Sequence, residues 1–245
     1  MPPPNRPTRN QMKPTALLAV LAAAGIASSA QASTVLFSSR PDTQPSNYAT
    51  AEGYRNHWMA ALAANPVAPA GYGEAQIQTW DSTNPMTPSN QGLIPGGSSE
   101  RIAFKYQVDF CVDEMKDGSR FDFRIAPDFA YGGAAFLDGV AVDWSSDDLW
   151  WGENWTNSAA ILEFSASLAS GNHTLVVYGQ EECCDGGTSG QFAINGGDWN
   201  SFGTKDGLDC DRPNTVPESG PSLALLAGGL GLVMAARRIV RTRQS

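Results

Sequence analysis

Between positions 143 and 155 the chain places four tryptophans, Trp144, Trp150, Trp151 and Trp155, among the carboxylates Asp143, Asp147, Asp148 and Glu153. Indole faces stack on the CH faces of sugar rings, and carboxylates accept hydrogen bonds from sugar hydroxyls. Trp144, Trp150, Trp151, Trp155, Asp147 and Asp148 are therefore the candidate sugar-binding residues. The competing reading puts two of these tryptophans into a sandwich core. Trp150 and Trp151 are adjacent, so a strand would turn them to opposite faces and make at least one of them a core candidate.

Other chemistries find less support. Asp113, Glu114, Asp117 and Asp122 offer hard oxygen ligands for calcium, but their spacing does not match an EF-hand loop; an acidic hairpin tip accounts for them, and no metal or other cofactor is expected. His57 and His173 are the only histidines, and neither has zinc-ligand spacing to a cysteine. His173 at a turn reads as a capping or packing residue. No Gly-x-Ser-x-Gly elbow, His-Glu-x-x-His or phosphate loop is present. A glycosidase needs only two suitably spaced carboxylates, and 25 acids supply many pairs, so that test does not discriminate. No catalytic residue is assigned.

The elements around these residues read mostly as strands. Ile102, Phe104, Tyr106, Val108, Phe110 and Val112 alternate with smaller or polar residues, as do Phe121, Phe123 and Ile125, and then Leu162, Phe164, Ala166 and Leu168. Asp117-Gly118 between the first two runs predicts a hairpin, as does Asp138-Gly139 between Phe136-Leu137 and Val140 to Val142. Gly171-Asn172 turns the chain into Thr174 to Tyr178, and Asn195-Gly196 is a strong turn pair after Phe192 to Ile194. The single helix candidate is Ala51 to Ala64, with Tyr54, Trp58 and Leu62 on one face and Asn65-Pro66 to stop it. The segment from Asp81 to Ser99 reads as a long surface loop. These elements predict an all-β fold, an antiparallel β-sandwich of jelly-roll type with one short N-terminal helix.

The two ends are built differently from the middle. Residues 1–32 and 219–245 hold seven basic residues and no acid, which leaves 9 bases against 25 acids between them, a charge of −16. That charge serves solubility and repels nucleic acid and anionic membrane surfaces. At the front, Lys13, the apolar run Leu17 to Ile26 and Ala30-Gln31-Ala32 make a signal peptide over residues 1–32. Signal peptidase is then expected to cut between Ala32 and Ser33, and Met12 is a more natural start than Met1. At the back, Leu223 to Ala236 would be a hydrophobic helix of about 21 Å, short against a bilayer core of about 30 Å. Arg237, Arg238, Arg241 and Arg243 follow and hold that end in the cytoplasm, with the domain outside. Export makes disulfides the expected state of Cys111, Cys183, Cys184 and Cys210. A vicinal Cys183–Cys184 bond needs a strained turn, so each of these two is expected to pair with one of Cys111 and Cys210. Asp209-Cys210-Asp211 reads as the start of a solvated linker.

Val216-Pro217-Glu218-Ser219, the weak span and the arginines together resemble a PEP-CTERM tail, in which a Val-Pro-Glu-Pro motif begins a segment cut by an exosortase of Gram-negative bacteria. Ser219 stands where that motif has proline. The resemblance implies processing near Val216, Pro217 and Glu218 and a sorting tail over residues 214–245, after a sandwich domain over 33–213. From Phe121 to Phe202 the chain also resembles the CCXG family of PEP-CTERM proteins, through Phe123-Arg124-Ile125, Leu137-Asp138-Gly139-Val140, Asp147 to Trp151, Gly171 to Thr174 and the motif Cys183-Cys184-Asp185-Gly186. More loosely, the Asp-Gly hairpin followed by a Gly-x-His strand is similar to PA14-like and fibro-slime sandwich domains, some of which bind sugars. These resemblances imply an exported protein that passes through the inner membrane, held there transiently by its C-terminal helix, and reaches the cell surface or extracellular matrix. Its partners would be signal peptidase, an exosortase and extracellular polysaccharide. Three functions remain open on the sequence: a non-catalytic surface protein, a carbohydrate-binding module, and a secreted glycan hydrolase.

Overall fold

A computed structural model describes residues 33–81, 93–97, 101–150, 152, 154–182 and 187–210. The expected signal peptide and the expected C-terminal tail and helix, together with Trp151, Cys183 and Cys184, lie outside the described residues. Among the described residues, ten strands form two open antiparallel sheets that pack face to face. They are β1 (Thr34–Pro41), β2 (Glu74–Ile77), β3 (Ile102–Val112), β4 (Arg120–Ala126), β5 (Gly133–Leu137), β6 (Val140–Ser145), β7 (Leu162–Ser167), β8 (Gly171–Glu181), β9 (Ser189–Ile194) and β10 (Asn200–Ser201). One sheet runs β2-β1-β3-β8-β5-β6 and the other β10-β9-β4-β7. The fold is the antiparallel all-β sandwich that the alternation predicts.

The period-2 pattern explains the layers. Phe104, Tyr106, Val108 and Phe110 of β3 point inward and meet Phe121, Phe123 and Phe192 of the facing sheet in one continuous core. Trp80 closes that core. Its ring stacks on Tyr106 at 4.8 Å, and its Nε1 donates to Thr188 Oγ1 at 2.9 Å. Gly190 makes room for it, since a Cβ there would sit 2.3 Å from the indole. Ile94, within the segment expected to be surface loop, also belongs to this core.

The helix α1 (Ala51–Ala64) has the predicted bounds. Thr50 caps it by accepting from Gly53 N at 3.2 Å. Tyr54 and Trp58 are buried and Leu62 half-buried. Ala51 and Tyr54 pack on Ala134 and Phe136 of β5, which places α1 on the outer face of the six-stranded sheet. The Tyr54 hydroxyl donates to the Tyr131 carbonyl at 2.9 Å.

Of the two Asp-Gly turns, one is as expected and one is not. Asp138-Gly139 is a tight hairpin, with both residues at positive φ (51° and 81°). Asp117-Gly118 is not one: β3 pairs with β1 and β8, β4 pairs with β7 and β9, and the segment between crosses from one sheet to the other. A 3-10 turn at Glu114–Lys116, capped by Asp113, makes that corner. An Asp-Gly pair dictates a local reversal, but which strand each arm joins is set by the core.

The cysteine pairing also differs from expectation. Cys111 at the end of β3 is bonded to Cys210, with Cα atoms 5.3 Å apart, so neither is available to Cys183 or Cys184. Leu208 and Asp209 are buried just before it. The stretch read as a solvated linker is therefore part of the fold, brought against β3 by the Cys111 N–H donating to the Leu208 carbonyl at 3.3 Å.

Candidate functional site

Trp144 lies on β6 opposite Ala134 of β5, so its indole emerges on the α1 side of the six-stranded sheet. A cleft of about 550 Å³ opens there between residues 49–52, where α1 begins, and residues 141–144 of β6. Trp144 is 42% exposed in its wall. The other side carries Thr50 and Glu52. The cleft thus combines an open aromatic face with hydroxyl and carboxylate groups, a lining suited to a small polyhydroxylated ring.

Asp143 fixes the strand beneath. Its Oδ1 accepts from Trp144 N at 2.9 Å, and its Oδ2 accepts from Glu163 N of β7 at 2.8 Å. This carboxylate ties the edge of one sheet to the edge of the other. Burial pushes its pKa above the ordinary carboxylate value, against the opposing pull of the two N–H donors.

The remaining sequence candidates divide. Asp147 and Asp148 are exposed on the loop after β6. Trp150 follows them, 68% exposed and outside any strand, while Leu149 is the residue that enters the core. The core reading therefore does not hold for Trp144 or Trp150. Trp155 does not join Trp144. The loop at residues 154–161 folds it over Ala126, Ala160 and Ile161 on the outer face of the four-stranded sheet. There it stacks on Arg124 of β4, ring centroid 4.2 Å from Cζ.

Arg124 is the centre of a second cluster that the sequence reading passed over. Trp199, from the loop between β9 and β10, lies over the same guanidinium at 4.1 Å. Gln191 Oε1 on β9 accepts from Arg124 Nε at 2.8 Å and from Nη2. The available signal was the alternation itself, since Arg124 is flanked by inward Phe123 and Ile125 and so must face out. The tryptophans over it come from loops, which no periodicity reaches.

Three of the four acidic residues weighed as calcium ligands are engaged elsewhere. Asp113 pairs with Lys116, Asp117 accepts from Ser170 N, and Asp122 bonds Ser165 and Arg120. Among the described residues no group of three or more metal-ligating side chains gathers. His173 Nδ1 bonds Asp138 and its Nε2 the Ala169 carbonyl, fastening the β5–β6 turn to the β7–β8 connection. His57 bridges the buried Asp42 and the Tyr48 hydroxyl, both at 2.8 Å, and pins α1 to the end of β1.

No protein-family model matches the chain, and no curated protein does. Among solved structures it is similar to a PA14 sugar-binding domain from an RTX adhesin, at a TM-score of 0.42 and 12% identity over 73% of this chain and 99% of that one. It is also similar to the PA14 domain of the antifreeze protein MpAFP, at 0.44 and 10% over 71% and 88%. A third similarity is to the epithelial adhesin 9 A domain of Candida glabrata, at 0.40 and 10% over 76% and 96%.

Proposed function

We propose that this is an exported, non-catalytic cell-surface protein whose sandwich domain binds carbohydrate in the cleft between α1 and β6. The observation that carries the reading is Trp144, an exposed indole forming one wall of a concave cleft that also presents Thr50 and Glu52. Ligand recognition of this kind needs a stacking surface, directional polar groups and concavity together, and the cleft offers all three. Export rests on the two ends of the sequence. Cleavage between Ala32 and Ser33 suits the fold, because β1 begins at the next residue, Thr34. Sorting through the tail, with exosortase cleavage near Val216-Pro217-Glu218, supplies the route to the surface.

A glycan array probed with the intact exported chain tests the reading. Binding to at least one polysaccharide class is expected, and Trp144→Ala is expected to weaken it about tenfold or more. An array with no bound glycan, or a Trp144→Ala variant that binds like the parent, would overturn it. Intact-mass analysis of surface-released protein, from hosts with and without an exosortase, tests the sorting step. Surface protein that still carries residues 237–245 in both hosts would refute it.

A further inference from the structure

The outer face of the four-stranded sheet carries a row of polar side chains in one register: Glu163 on β7, Arg124 on β4, Gln191 on β9 and Ser201 on β10. Three inter-strand spacings make this row about 14 Å long. Trp155 and Trp199 stand over its centre, each about 4 Å from the guanidinium carbon. The guanidinium N–H groups all lie in its plane, so hydrogen bonds leave Arg124 from its edges. One edge is filled by Gln191 Oε1, and the amide's other end donates to Ser201 Oγ at 3.4 Å. The edge that carries Nη1 has no acceptor among the described residues.

This arginine differs from three others of the domain. Arg40, Arg55 and Arg120 each have a carboxylate within 4.0 Å. Arg124 has none among the described residues, although Glu163 is its cross-strand partner and acids far outnumber bases in the domain. Burial lowers its pKa from the ordinary guanidinium value, with Glu163 acting the other way, so the cation is held at some electrostatic cost. The side chain is also ordered in advance by two stacking contacts and a forked hydrogen bond. A ligand that binds it need not meet the entropy of fixing a long side chain.

We infer that Arg124, in contact with Trp155 and Trp199, is a second glycan subsite, selective for a sugar ring bearing a carboxylate, as in a uronic acid residue of an acidic polysaccharide. The carboxylate takes the open guanidinium edge, and the CH groups of the same ring pack beside the exposed rim of Trp199, which is 38% accessible. The subsite shares the ligand class of the proposed function but not its location. It sits on the opposite outer face of the sandwich from Trp144.

Calorimetry on the intact exported chain decides the matter with three probes: trigalacturonate, its methyl ester, and a short poly-glutamate peptide. The unmodified protein is expected to bind the acid about tenfold or more tightly than the ester, with an affinity that falls as salt rises. Arg124→Lys keeps the charge but loses the fork, and is expected to remove most of that preference while leaving Trp144-dependent glycan binding unchanged. Equal affinity for acid and ester would overturn the inference, a comparison that needs no variant to fold. Equal or tighter binding of poly-glutamate would overturn it in favour of an acidic peptide. Glycan binding through Trp144 without any acid preference would sink this subsite alone, whereas absence of all glycan binding would sink the broader reading as well.

Discussion

Three aspartates separate by environment, and their titration follows. Hydrogen bonding from Lys116 holds Asp113 below the ordinary carboxylate value, and hydrogen bonding from Ser165, with help from Arg120, does the same for Asp122. Burial holds Asp143 above it. Carboxyl-carbon NMR titration is therefore expected to show Asp143 as the last of the three to lose its proton. The linkage signs differ accordingly. The contributions of Asp113 and Asp122 to stability are present above the unfolded value and are lost as pH falls through their lowered folded values. The contribution of Asp143 is full below the unfolded value and declines as pH rises through its raised folded value. At Gly190 the constraint is steric. Gly190→Ala drives a methyl into the Trp80 ring, with an expected cost of about 1–3 kcal/mol read by chemical denaturation. Unchanged stability would mean that Trp80 can repack.

At the scale of elements, α1 couples stability to the cleft. Its first turn is both the capped start of the helix and one wall of the cleft. Thr50→Ala removes the cap and is expected to cost about 1 kcal/mol. The same variant is expected to weaken glycan binding, because the fraying turn carries Glu52. A denaturation midpoint measured alongside binding distinguishes the two effects. Stability lost without any change in binding would show that the turn is not part of the recognition surface. The helix was legible in the sequence because the Tyr54–Trp58–Leu62 spacing and the Asn65-Pro66 stop act within a few residues of one another. The crossover at Asp117-Gly118 was not, because a tight turn looks the same whether its arms join one sheet or two.

Across the whole molecule, the Cys111–Cys210 bond closes the sandwich over 99 positions. It joins the end of the described chain to β3, near the middle of the larger sheet. On the chain-entropy account a loop of that length is worth about 4–5 kcal/mol, less any strain. Cys210→Ser is expected to lower stability by about 2–4 kcal/mol under oxidising conditions. Peptide mapping without reductant should recover a Cys111–Cys210 linked pair. A Cys111–Cys183 or Cys111–Cys184 peptide would contradict the structure.

Alternation of apolar residues determined the strands, and through them the sandwich, because side-chain direction along a strand is a local property with a period of two. Composition at the two ends determined the expectation of export for the same reason: charge and apolar length are read directly from the chain. Partnership was decided only in three dimensions. Whether Trp155 faces Trp144 or Arg124 depends on where the loop at residues 154–161 lies on the finished sheet, and whether Cys111 meets Cys210 or Cys183 depends on which segment packs beside the end of β3. Both choices are settled by burial of apolar surface across the whole fold, in which residues 70 or 100 positions apart count as much as neighbours.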